Sequence, residues 1–175
     1  MAILVSEAKK LGISVLPPDI NQSDEGFTPL DNNKIRFGLR TIKNVGANVV
    51  AAVIEERKIN GPYSGLAALL ERVPSKDLNK KSLESLIKSG ALDSIGERNQ
   101  MLGNLESILE YHKDSAKARI QNQSSLFGLM NDRSTLPQLK LGAVNPADFE
   151  EKLRWEKELL GLYVSGHPLE KLKER

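Results

Sequence analysis

A chain of 175 residues, 39% of them apolar, has room for one ordinary domain or two small ones. Lysine and arginine number 25 against 23 acids, a net charge of +2, so the total charge does not announce a nucleic-acid binder and any basic surface must be local. Cysteine is absent, which removes disulfides, thiolate zinc sites and cysteine nucleophiles and suits a reducing, cytoplasmic compartment. The apolar run Ala2 to Val5 is too short for a signal-peptide core, and nothing approaches the ~20 apolar residues of a membrane span. With four Phe, three Tyr and one Trp, the core falls to Leu, Ile, Val and Ala, which favours packed helices.

The first expected element is a short helix from Ser6 to Leu11. Ile13, Val15 and Leu16 then alternate as a strand that stops at Pro17-Pro18, where no regular element continues. Phe27 to Leu30 and Lys34 to Phe37 flank the turn-forming triplet Asp31-Asn32-Asn33, which predicts a small β-hairpin. From Leu39 the apolar steps lengthen: Leu39, Ile42, Val45, Val49, Val50, Val53 and Ile54, interrupted at Asn44-Val45-Gly46, predict two short helices joined by a tight turn. Gly61-Pro62 separates this unit from a third helix carrying Leu66, Leu69, Leu70 and Val73 and closing at Pro74. Asn79 is a candidate N-cap for a fourth helix with Leu83, Leu86 and Ile87, ending at Ser89-Gly90. Residues Arg98 to Ile120 give the longest helical pattern, with Met101, Leu105, Ile108 and His112 on one face.

Between Gln121 and Asn145 the periodicity disappears into Gln, Asn, Ser and Gly, the composition of a flexible linker. Asn145-Pro146-Ala147-Asp148 then supplies an N-cap, a proline at the first helical position and an acid in the first turn. This final helix carries Phe149, Leu153 and Leu160 and stops at Gly161.

Charge is unevenly placed along the chain. Residues 1–33 sum to −3, whereas Lys34, Arg36, Arg40, Lys43, Arg57 and Lys58 outweigh Glu55 and Glu56 over residues 34–61. The turn Lys43-Asn44-Val45-Gly46-Ala47 therefore lies in a basic segment, with small or flexible residues where a helix begins, so backbone amides and the positive helix end can approach a phosphate. Leu39 to Glu56 resembles a helix-hairpin-helix motif, in which Asn44 stands where the first glycine of the hairpin is usual; asparagine tolerates a left-handed backbone. Lys88-Ser89-Gly90 is a second candidate turn of the same kind. For each turn the plain alternative is an αα-hairpin with a glycine stop. The basic charge tips the first towards DNA, and for the second a structural role stands slightly ahead.

Gln123-Ser124-Ser125-Leu126-Phe127 places two large apolar side chains inside a polar segment. Such a pair costs solubility unless it docks on a partner or folds back on its own bundle. The spacing resembles the pentapeptide that binds the bacterial sliding clamp. Enzymatic constellations are missing: no Walker or Rossmann glycine loop, no His-Glu metalloprotease helix and no Cys/His ligand cluster. His112 reads as a packed residue, His167 as a turn residue, and the adjacent acids Asp24-Glu25 and Glu55-Glu56 as solvated surface.

Taken together, Glu7-Ala8-Lys9, Leu16-Pro17-Pro18-Asp19-Ile20-Asn21, Ile35-Arg36-Phe37-Gly38-Leu39, Ile42-Lys43-Asn44-Val45-Gly46, Leu86-Ile87-Lys88-Ser89-Gly90-Ala91-Leu92-Asp93, Glu158-Leu159-Leu160-Gly161-Leu162-Tyr163 and Ser165-Gly166-His167-Pro168-Leu169 resemble, in order and spacing, the alpha subunit of bacterial DNA polymerase III. The resemblance covers essentially the whole chain. It implies a mainly α fragment, a helical bundle with tandem helix-hairpin-helix motifs and a small N-terminal β-hairpin. Its parts would be residues 1–37 from the distal fingers, 38–120 as the DNA-binding region, 121–145 as a linker with the clamp-binding peptide, and 146–175 leading to a further domain. It further implies a non-specific grip on duplex DNA phosphates by Lys43, Asn44, Val45, Gly46 and Ala47, and in the second turn by Lys88, Ser89 and Gly90. Leu126 and Phe127 would enter the apolar pocket of the sliding clamp with Gln123 hydrogen-bonding at its rim, and other replicase subunits would be met through the parent protein. No segment matches the palm motifs whose aspartates hold magnesium in that family, so no catalysis, no cofactor and no metal are expected of this fragment, which should be monomeric and off the membrane. A repair or recombination protein using the same motif, and a helical interaction module without a DNA role, are the competing readings.

Overall fold

A computed structural model describes residues 2–30, 33–74, 76–124 and 138–166. Helix α1 (Ala2–Lys10) starts earlier than Ser6, because Val5 belongs to the buried face. It ends where Gly12 turns the chain with φ of 75°, a conformation open to glycine at little cost. Strands β1 (Ser14–Leu16), β2 (Thr28–Leu30) and β3 (Lys34–Arg36) form one sheet in the order β1-β3-β2. The expected hairpin is β2 with β3, antiparallel, Pro29 facing Ile35. The first strand joins it as a parallel neighbour of β3, Val15 facing Ile35; parallel pairing across an irregular crossover has no local sequence signal.

The crossover itself binds the sheet to the helices. Ile20 is fully buried, its N–H donates to the Ala91 carbonyl (2.8 Å) and its carbonyl accepts from Arg57 Nη1 (2.8 Å). Gly38 follows β3, and a Cβ there would lie 2.3 Å from the carbonyl carbon and oxygen of Gly26. Only a residue without a side chain lets these two backbone segments meet.

The helix expected to start at Leu39 is a single 3-10 turn, Leu39–Thr41. Gly38 before it and Ile42 after it are both extended, and no longer helix fits between them. The helical body follows: α2 (Ala47–Asn60), α3 (Leu66–Arg72), α4 (Lys80–Lys88), α5 (Arg98–Gly103), α6 (Leu105–Ser124) and α7 (Phe149–Leu160). Leu69, Leu83, Ile87, Met101 and Ile108 are fully buried at its centre. Burial of that apolar surface, at roughly 25 cal/mol per Å², drives the assembly. Tyr63 belongs to the same core. Its hydroxyl donates to the Val53 carbonyl at 2.8 Å, and burial pushes the phenol up to about 12.

Further element boundaries differ from expectation. The pattern 98–120 is two helices, because Asn104 breaks it: its amide donates to the Gln100 carbonyl (2.8 Å) and exchanges hydrogen bonds with Gly142 (3.0 and 2.8 Å). Helix α6 continues to Ser124, past the expected linker start at Gln121. Leu139 and Leu141, within the expected linker, pack on the core. The cap of α7 is Asp148 rather than Asn145, and its carboxylate accepts from Glu151 N–H at 2.7 Å. Pro146 lies ahead of the cap. The C-terminal stop at Gly161 is as expected, with φ of 82°. Among the described residues no helix is long and apolar enough to cross a membrane.

Candidate nucleic-acid interface

The first hairpin is built as its sequence requires. Asn44 adopts φ of 65°, the left-handed conformation for which glycine is usual, and its Nδ2 donates to Ser85 Oγ at 3.3 Å. Val45 is buried and pins the turn to the core, while Lys43, Asn44, Gly46, Ala47 and Asn48 are exposed. Gly46 caps α2 without a side chain. The first bond of α2 runs from Val50 N–H to the Gly46 carbonyl, so the amides of Ala47, Asn48 and Val49 precede the helical ladder and no side chain covers them. Two amides of the turn are already used: Lys43 N–H donates to the Leu159 carbonyl (3.1 Å) and Val45 N–H to the Ile42 carbonyl (3.3 Å). What the turn offers an anion is therefore the start of α2 and the Lys43 ammonium.

The structure contains a second hairpin that was not singled out in the sequence, between α3 and α4. Lys76-Asp77-Leu78-Asn79 repeats Lys43-Asn44-Val45-Gly46 position for position. Each has a lysine, a polar residue, a buried apolar residue (Val45 at 6% and Leu78 at 1% exposure) and an extended N-cap that starts a helix. Asn79 caps α4 by accepting from Ser82 N–H at 3.0 Å. The two hairpins face each other across a cleft of about 370 Å³ lined by Asn44, Gly46, Asn48, Lys76, Asp77 and Asn79. Two helix N-termini thus converge on one opening, each carrying partial positive charge. Among the described residues neither Lys43 nor Lys76 enters an ion pair. The signal available in the sequence was the repeat itself, hidden because the second copy has no glycine.

Lys88-Ser89-Gly90 is built for another purpose. Ser89 is fully buried and its hydroxyl donates to the Leu86 carbonyl at 3.0 Å. Gly90 takes φ of 85°, and a Cβ there would lie 2.3 Å from Arg98 Nη2. Lys88 pairs with Glu84 at 2.5 Å. No helix starts at Gly90, so this turn has no bare helix end to offer, and its glycine makes room for Arg98.

The basic segment is partly neutralised by the acidic one before it. Arg57 meets Asp24 at 3.3 Å and Arg40 meets Glu25 at 3.1 Å, while Arg36 donates to the Pro17 carbonyl (3.0 Å) and Gln22 Oε1 (2.8 Å). Arg72 meets Glu56 at 3.1 Å. Asp24, Glu25 and Glu56 are thus partners of arginines rather than simply solvated surface, while Lys43 and Lys76 of the hairpins, like Lys34 and Lys58, enter no ion pair among the described residues.

His112 is packed, as its position on the helix face predicts: it is 2% exposed, with Nε2 2.9 Å from the Val73 carbonyl. Gln123 lies in the last turn of α6. Leu126, Phe127 and His167 lie outside the described residues. Among the described residues no group of His, Asp or Glu could hold a metal ion.

Two hairpins of one pattern, each leading into a helix N-terminus, define the class of this domain. Residues 12–102 match the helix-hairpin-helix motif family, and the chain belongs to that family. Beyond the motif, the similarity extends over nearly the whole chain to DNA polymerase III subunit alpha. Identity is 41% over 169 residues with that of Thermus aquaticus, 42% over 173 residues with that of Deinococcus radiodurans and 39% over 187 residues with that of Helicobacter pylori. These alignments cover 97 to 99% of this chain and 13 to 15% of the relatives.

Proposed function

We propose that this chain is the part of a replicative DNA polymerase alpha subunit that grips duplex DNA through its phosphate backbone, without reading bases, and holds the polymerase to a sliding clamp. The observation that carries the first half is the repeated hairpin, with Lys43 and Lys76 beside two helix N-termini that open on one cleft. Helix N-termini and lysines bind phosphate oxygens whatever the sequence. Two grips on one opening suit a polyanion better than a single small ligand, and the similarity to polymerase subunits supplies the polyanion. The parent protein would be a DNA-directed DNA polymerase with its magnesium in a palm outside the segment compared. This chain would contribute retention on DNA rather than nucleotidyl transfer, in the cytoplasm and alongside other replicase subunits.

The clamp half rests on Gln123, Leu126 and Phe127. Gln123 lies at the end of α6, and the two large apolar side chains that follow it in a polar stretch of sequence suit an apolar pocket on a partner. Tethering then raises the effective concentration of the polymerase at the primer end.

The test of the grip is fluorescence anisotropy on a short duplex at several salt concentrations. Binding should weaken linearly in log–log form, and Lys43→Ala and Lys76→Ala should each lower the slope by about 1, equally for unrelated duplex sequences. Binding that is insensitive to salt, or unchanged in both variants, would overturn the reading.

A further inference from the structure

A charged network joins α7 to the turn that follows α4. Glu156 on α7 is fully buried. Its Oε2 accepts from Val164 N–H (3.0 Å) and Ser165 N–H (2.9 Å), and its Oε1 accepts from Ser165 Oγ (2.6 Å) and from Arg98 Nη2 (3.4 Å). Arg98 is 2% exposed and bound by Asp93 through two hydrogen bonds of 2.9 and 2.8 Å; it also donates to the Lys88 carbonyl at 3.1 Å. A buried carboxylate and guanidinium persist only where each is fully paired. The room for Arg98 is made by Gly90, which has no side chain to occupy it.

Along the same helix, one turn on, the Leu159 carbonyl accepts the Lys43 N–H. The first hairpin therefore rests on α7, and α7 is fixed by Glu156. Both lie outside residues 12–102 that define the motif.

We infer that Glu156 is a positioning residue for the Lys43–Gly46 hairpin: by locking α7 and the Val164–Ser165 turn to Arg98, it holds the Leu159 carbonyl against the Lys43 amide and so sets the phosphate grip. Motif and α7 then form one working unit, and whatever strains the chain at Val164–Ser165 is felt at the hairpin. The inference rests on the DNA-binding reading for its consequence but not for its geometry, and the two are tested separately.

The experiment compares the full chain with Glu156→Gln and with the milder Ser165→Ala, which removes only the 2.6 Å hydroxyl bond. It measures amide exchange at Lys43 and at the core residue Leu69, together with duplex affinity and its salt slope. Exchange at Lys43 should rise about tenfold in Glu156→Gln with Leu69 unchanged. Duplex affinity should fall about threefold to tenfold, with the salt slope preserved because no phosphate contact is deleted. Ser165→Ala should show the same pattern more weakly, and it decides the matter if Glu156→Gln fails to fold. Equal acceleration at Lys43 and Leu69, or no change at Lys43 in a folded variant, would overturn the inference. Selective acceleration at Lys43 with no duplex binding by the parent chain would uphold the positioning and overturn the DNA reading.

Discussion

Asn21 and Tyr63, 42 residues apart in sequence, close a reciprocal pair: Asn21 Nδ2 donates to the Tyr63 carbonyl at 3.0 Å, and Tyr63 N–H donates to Asn21 Oδ1 at 2.7 Å. One side-chain amide thereby mimics a neighbouring strand and ties the segment after Pro17-Pro18 to the loop between α2 and α3. Asn21→Ala should leave both backbone groups of Tyr63 without partners and lower stability by about 2 kcal/mol. Asn21→Asp keeps the acceptor, loses the donor and faces a carbonyl with a carboxylate, so it should be nearly as damaging. Urea unfolding of the three proteins measures this, and an unchanged midpoint for Asn21→Ala would show that water replaces the pair at no cost.

Glycine at position 38 answers to a backbone contact rather than to a turn. Its φ of −77° is open to any residue, but a Cβ would sit 2.3 Å from the Gly26 carbonyl group and 2.4 Å from the Glu25 carbonyl oxygen. Those neighbours are held in place, because Asp24 and Glu25 carbonyls accept the Leu39 and Arg40 N–H groups at 3.0 Å each. Gly38→Ala should therefore cost about 2 to 3 kcal/mol by forcing the segments apart. Gly26→Ala, which meets nothing within 4 Å, should be close to neutral. Paired denaturation curves would show the asymmetry.

How much of this was legible in the sequence depended on the range of the cause. Asn79 as a cap, the left-handed role of Asn44 and the stop at Gly161 were all readable, because each is decided within one turn of backbone. The side-chain periodicity of Leu83, Leu86 and Ile87 placed α4 correctly for the same reason. The parallel pairing of Val15 with Ile35 and the break at Asn104 were not readable, since the partners that enforce them, β3 and Gly142, are distant in sequence. The second hairpin is harder to read for a more instructive reason: glycine is not a dependable marker of the motif. Gly90 is conspicuous but makes room for Arg98, whereas Lys76-Asp77-Leu78-Asn79 repeats the residue pattern of the first hairpin with an asparagine cap. Burial of the apolar residue, Val45 or Leu78, is the feature the two hairpins share.

His112 gives the bundle a pH dependence with a definite sign. Burial pushes its imidazole below the ordinary value, while the hydrogen bond to the Val73 carbonyl pulls the other way. The folded state then holds the proton less tightly than the unfolded chain, whose histidine titrates near about 6.5. Stability from this group is present above that pH and is lost as the pH falls below it. His112→Gln keeps a donor for Val73 and cannot titrate, so the difference between parent and variant should shrink or reverse between about pH 7 and pH 5. Val73 opens the second hairpin, so duplex affinity at constant salt should weaken over the same interval in the parent more than in the variant. A difference that stays constant across the interval would remove His112 as the cause.

The clamp peptide makes the sharpest demand on a partner. Leu126 and Phe127 are adjacent large apolar residues in a segment rich in Gln, Asn, Ser and Gly, and Gln123 stands at the end of α6. If these side chains enter an apolar pocket with the glutamine amide at its rim, Leu126→Ala/Phe127→Ala should abolish binding to a bacterial sliding clamp. Gln123→Ala should weaken it by about 1 kcal/mol, the worth of one hydrogen bond, or roughly fivefold. Neither change should alter the affinity for duplex DNA that we propose for the hairpins. Titration of the chain against a clamp shown to bind another partner decides the point. Undiminished binding by the double variant would move the contact elsewhere, and no binding by the parent chain would remove the tether, leaving the duplex grip of Lys43 and Lys76 as the function to defend.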